Sequence, residues 1–110
     1  IIVSTPQELA LMDVQRGIQM FDKTKIKIVG LVDNMSFFKT ADGKKHNIFG
    51  EGGVEKTAKE FNKNFLGKIP ISTKLRESAD LGLPLAYKEP GNEISKIFFD
   101  IADKVMQDVV

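Results

Sequence analysis

The chain has 110 residues, with 16 Lys plus Arg against 15 Asp plus Glu, a formal net charge of +1, and a composition 42% hydrophobic and 28% charged. That composition describes a folded domain rather than a disordered segment, and the balanced charge, without a basic run, argues against nucleic acid as the main partner. Cysteine is absent and there is one His, which excludes disulfides, thiolate metal ligands, a cysteine nucleophile and a histidine metal site.

No apolar stretch approaches the ~20 residues that cross a bilayer, and the sequence opens on Ile1-Ile2-Val3 with no basic n-region of its own. The expectation is a cytoplasmic protein without a membrane partner. A domain this small buries about two-thirds of its chain surface, so marginal stability is expected unless something else completes its core.

Ile1, Ile2 and Val3 form a β-branched run that predicts a first strand, ending at Ser4. Thr5-Pro6-Gln7-Glu8 follows as a helix start, with Thr5 as cap, Pro6 in the first helical position and Glu8 closing a capping box. Leu11, Val14, Ile18 and Phe21 then recur at helical spacing among polar residues, predicting an amphipathic helix. Ile26 to Val32 is almost wholly apolar, the pattern of a strand covered on both faces in a parallel sheet. Residues 36 to 49 centre on Asp42-Gly43, a dipeptide suited to tight turns, and predict a projecting β-hairpin.

Gly50-Glu51-Gly52-Gly53 breaks that hairpin, and Val54, Ala58 and Phe61 support a short helix. Phe65 to Ile69 predicts a third buried strand, ended by Pro70. Ser72 is positioned to cap a helix carrying Leu75 and Ala79, which Gly82 and Pro84 terminate. From Asn92 onward, Ile94, Ile97, Phe98, Ile101, Val105 and Val109 form one apolar stripe, predicting a terminal helix docked on a sheet.

Strand and helix alternate throughout, the order of an α/β fold with a parallel sheet. No repeat, linker or low-complexity tract divides the chain, so residues 1–110 are taken as one unit. Doubly covered strands normally lie inside a wider sheet, and only three are visible here. The chain is therefore expected to be the C-terminal part of a larger α/β/α domain.

Five strings occur in order: VSTPQELALMD (Val3 to Asp13), GLVDNMSFF (Gly30 to Phe38), IFGEGG (Ile48 to Gly53), LGKIPI (Leu66 to Ile71) and RESADLGLPL (Arg76 to Leu85). Together they resemble the C-terminal half of the Mrp/ApbC family, MinD/ParA-like P-loop ATPases implicated in carrying or assembling iron–sulfur clusters. The resemblance spans essentially the whole chain. It implies a partial parallel-sheet P-loop NTPase-like fold, three-layer α/β/α, with a projecting β-hairpin and the Walker A half absent. No G-x-x-x-x-G-K-[ST] occurs in the sequence, and Gly50-Glu51-Gly52-Gly53 lacks the Lys and hydroxyl that phosphoryl transfer needs. ATP with Mg²⁺ is thus expected only in a full-length form, and no hydrolysis from this chain alone.

By the same resemblance Asn34, placed at the end of the second strand, reads the adenine edge. An amide offers the ring both a donor and an acceptor. Taken without the resemblance, Asn34 reads as an Asn that merely turns the chain after a strand. Pro70 and Ile71 are implied to line the other side of the base, although a strand-to-helix corner also suits Pro. Gln7 and Asp13 are implied to face a partner subunit in a homodimer, where an amphipathic helix would otherwise simply expose them.

Phe37, Phe38 and Phe49 on the hairpin are expected to form an apolar patch for a partner, the second subunit or a client, or else to fold onto their own core. Arg76 and Glu77 read as a solvated pair. Many family members carry a Cys-x-x-Cys pair after the NMS-aromatic string, whereas this chain has Phe38-Lys39-Thr40-Ala41-Asp42-Gly43 there. Bound iron–sulfur is therefore doubtful, since oxygen and nitrogen groups do not replace four thiolates and His46 is alone. Two other readings stand beside this one: a MinD/ParA-type positioning ATPase, and a non-enzymatic domain that associates through an open sheet edge. Iron–sulfur client proteins are the partners the resemblance adds.

Overall fold

The structure is a computed structural model that describes residues 1–109. Strand β1 (Ile2–Ser4) leads to helix α1 (Glu8–Lys23), strand β2 (Leu31–Lys39) and the two-residue strand β3 (Lys45–His46). Helix α2 (Gly53–Glu60), strand β4 (Phe65–Ile71) and helices α3 (Thr73–Asp80), α4 (Leu85–Lys88) and α5 (Glu93–Val109) follow.

Strand β2 is central. It pairs in parallel with β1 on one side (Val3 opposite Val32) and with β4 on the other (Asp33 opposite Lys68), and its far end pairs antiparallel with β3 (Phe38 opposite His46). A parallel sheet exposes its backbone-flanked faces to helices from both sides, and each face here is covered. Val14 and Ile18 of α1 and Val54 and Ala58 of α2 pack with Leu31 on one face. On the other, Ile101 packs with Val32, Leu66 and Ile69, flanked by Ile97, Phe98 and Val105 of the same α5 stripe. The expected three-layer α/β/α arrangement is what the chain adopts.

Several expectations are corrected. The second strand starts at Leu31, not Ile26. Residues 26–30 form an irregular approach in which Ile26 is exposed, while the Gly30 carbonyl accepts from Ile2 N at 3.0 Å and the Leu31 amide donates to Asn64 O at 2.9 Å. Apolar content alone did not reveal that Lys25, in the left-handed region at φ 59°, and Gly30 punctuate this run.

The capping box does not form. Helix α1 begins at Glu8 behind Gln7, which makes no side-chain cap, and the Thr5 hydroxyl donates to Gln7 Oε1 at 2.9 Å instead. Strand β4 runs through Pro70 to Ile71, because β4 is an edge strand of this sheet and a missing N–H on the outer side breaks no ladder bond. The hairpin is shorter than residues 36–49, closing between Lys39 and Lys45. Its turn has Gly43 at φ 85°, a Thr40 N to Lys44 O bond of 3.0 Å, and Asp42 accepting from Lys44 N at 3.1 Å. Helix α4 had no counterpart among the expected elements.

Candidate functional site

Asn34 is not at the end of β2 but fourth of its nine residues, where the strand is bulged. Between Asn34, opposite Ile69, and Phe38, opposite Ile71, β2 takes four residue steps against two on β4. Met35 absorbs the excess with φ 53°, a left-handed conformation unusual for a residue with a Cβ. Kinked this way, β2 brings Asn34 and Met35 to the wall of a cleft of about 470 Å³.

The opposite wall is the corner from β4 into α3. Pro70 and Ile71 reach the cleft, followed by Ser72 and Arg76. Ser72 accepts from Leu75 N at 3.2 Å, the expected helix cap, and so fixes the angle at which α3 leaves the sheet. Open parallel sheets bind ligands at the carboxyl ends of their strands, and the cleft lies there for β4. It combines an apolar floor with an amide and a guanidinium, a setting suited to a flat heteroaromatic ring. Arg76 is exposed and paired with Asp80 at 3.0 Å and with Glu77 at 3.8 Å, so it is both the expected solvated residue and a cleft lining residue.

Directly before Asn34 in β2 stands Asp33, a residue that does not itself line the cleft. It is fully buried, accepts from the Ser36 hydroxyl at 2.9 Å through Oδ2, and leaves Oδ1 without a hydrogen-bond partner. Burial pushes its carboxyl above the ordinary carboxylate range, the Ser36 bond and the Lys68 ammonium oppose that rise, and Glu55 adds to it. Only its position inside an apolar run hinted at this, since Leu31 and Val32 beside it are core residues.

The residues expected at a dimer interface lie outside this cleft. Gln7 and Asp13 are exposed on and before α1, with Asp13 3.9 Å from Arg16. Phe37 is half-buried with the Lys45 ammonium 4.6 Å from its ring centre, and Phe38 is 36% exposed. Both phenylalanines border a neighbouring hollow of about 240 Å³ that shares Pro70 to Thr73 with the cleft. Among the described residues, no group of three or more His, Asp or Glu is arranged to hold a metal, and no helix is long and apolar enough to cross a membrane.

A largely parallel α/β/α sheet with a cleft at the carboxyl end of a strand places the chain in the doubly wound α/β class, whose ligands bind at that end of the sheet. The model of the ParA family described as NUBPL iron-transfer P-loop NTPase matches residues 1–106, and the chain belongs to this family. It is 42% identical over 108 residues to the iron-sulfur cluster transfer protein NUBPL of Dictyostelium discoideum, covering 97% of this chain and 33% of that protein. It is 44% identical over 107 residues to the iron-sulfur cluster carrier protein of Pyrococcus horikoshii, covering 96% of this chain and 36% of the relative. A solved nucleotide-binding protein of Archaeoglobus fulgidus, in complex with ADP, superposes with a TM-score of 0.67 and 33% identity over 87% of this chain and 40% of that one. The chain thus spans about a third of the length of the curated relatives it matches.

Proposed function

We propose that this chain is the base-recognising part of a nucleotide-dependent iron–sulfur cluster carrier. Asn34 reads the adenine edge, and Pro70 and Ile71 hold the other side of the ring. The observation that carries this reading is the convergence of those three residues, from two separate strands, on one cleft. Support also comes from the ADP bound to the A. fulgidus protein of similar fold.

The chain's own residues supply orientation of the base and shelter from water. Phosphate and Mg²⁺ handling is assigned outside them, since the sequence has no P-loop lysine motif. A cluster does not fit these residues either. The chain has no cysteine, and the carboxylates and single His are not grouped as ligands among the described residues. Iron–sulfur cargo is therefore read as held by thiolates that this chain does not contain.

Two copies are proposed to meet through Gln7, Asp13, Phe37 and Phe38, with iron–sulfur clients as further partners and neither nucleic acid nor membrane among them. The cytoplasm is the compartment in this reading. The test is calorimetric titration of the intact natural polypeptide with ADP and GDP. Asn34→Ala should erase a preference for ADP, by about tenfold if one base-edge hydrogen bond is lost. An unchanged ratio of the two affinities would remove the assignment.

A further inference from the structure

The most expensive backbone and side-chain features of β2 lie within four residues of one another. Met35 sits at φ 53° without being Gly or Asn, and Asp33 is buried at 0% exposure with one oxygen unpartnered. Neither serves the packing of the sheet. A Leu at position 33 would be apolar like its neighbours Leu31 and Val32, each of which joins a core on one face of the sheet, and a straight strand would keep its ladder with β4. Met35 lies inside the bulge that brings Asn34 and Met35 to the cleft wall, and Asp33 stands two residues before it, still in register with Lys68.

One hydrogen bond spans that bulge. Ser36, 5% exposed, donates to Asp33 Oδ2 at 2.9 Å, tying the residue before Asn34 to the residue after Met35. A hydrogen bond between residues three apart, on either side of a kink, resists its relaxation toward regular β geometry. We propose that Asp33 and Ser36 are positioning residues for base recognition, their bond holding the kink at Met35 that aims the Asn34 amide into the cleft. This rests on the reading of Asn34 as the base-recognising group. Strain concentrated next to a ligand cleft is the pattern expected where geometry, not stability, is the function of a segment.

The test uses ADP and GDP as probes on the intact natural polypeptide, with melting temperature followed in parallel. Ser36→Ala should lower the ADP-over-GDP affinity ratio by about tenfold, toward that of Asn34→Ala. Asp33→Asn keeps an acceptor for the Ser36 hydroxyl and should keep the ratio. Asp33→Leu suits a buried position and should fold, yet lose the ratio, so the proposal remains testable even if Ser36→Ala does not fold. A purely structural role would shift melting temperature and both affinities together. A folded Ser36→Ala or Asp33→Leu variant with the wild-type ratio, beside an Asn34→Ala variant that has lost it, would overturn the positioning role alone. An Asn34→Ala variant with the wild-type ratio would overturn the base-reading assignment and the positioning role with it.

Discussion

Gly30 and Leu66 approach so closely across the seam between β2 and β4 that a Cβ on Gly30 would lie 2.6 Å from Leu66 Cγ and 2.9 Å from the Asn64 carbonyl oxygen. Leu66 is only 2% exposed and belongs to the core under α5, so it has nowhere to move. The glycine that opens the GLVDNMSFF string is there for this contact, not for a turn. Gly30→Ala should cost about 2–3 kcal/mol by overpacking. Gly17 is its opposite, a helix-interior glycine of α1 with nothing within 4 Å of a built Cβ, and Gly17→Ala should stabilise by about 0.5–1 kcal/mol. Urea denaturation of both variants checks the two signs.

Asp33 supplies a pH prediction. Its folded-state pKa lies above the ordinary carboxylate value, so the fold favours the protonated form. The stability this contributes is present in acid and is lost as pH rises from the ordinary carboxylate value through the raised one. Asp33→Asn, which stays neutral, should lack this pH dependence, so the stability difference between variant and parent should move in the variant's favour as pH rises from the ordinary carboxylate value and back toward the parent in acid. Denaturation midpoints of both proteins across that pH range measure it; a difference that moves toward the variant in acid would contradict the sign.

Ser72 links helix stability to the cleft. Its hydroxyl accepts the Leu75 amide at 3.2 Å while its own residue forms part of the cleft wall. Ser72→Ala should cost about 1 kcal/mol and loosen the first turn of α3, whereas Ser72→Asp keeps an acceptor and should be close to neutral. Thermal melts report the stability difference, and hydrogen exchange at Leu75 reports the loosened turn.

The long periodic segments were legible in the sequence because their burial is regular. Val14 and Ile18 of α1 and Ile101 of α5 are buried where helical spacing placed them. The Ser72 cap was legible because its partner amide is three residues away. The start of β2 was not. Ile28 packs against the core without joining the ladder, while the true strand contains Asp33, Asn34 and Ser36, residues of low strand propensity.

The candidate site followed the same division. Family resemblance points to Asn34, Pro70 and Ile71, and the fold brings them to one cleft. Asp33, Met35 and the bulge were not picked out, because a left-handed Met and a carboxylate inside an apolar run have no local signature. They depend on the pairing of β2 with a strand more than thirty positions away, as Asp33 opposite Lys68. The capping box failed for a similar reason. The Thr5 hydroxyl is occupied by Gln7, and α1 starts at Glu8, after the intended cap.

The measurement that bears most directly on the assignment is an experimental structure of the intact natural polypeptide with ADP bound. The adenine ring should lie in the cleft between Asn34 and the Pro70–Ile71 corner, its edge within about 3 Å of the Asn34 carboxamide. A base held elsewhere, with Asn34 facing an empty cleft, would contradict it.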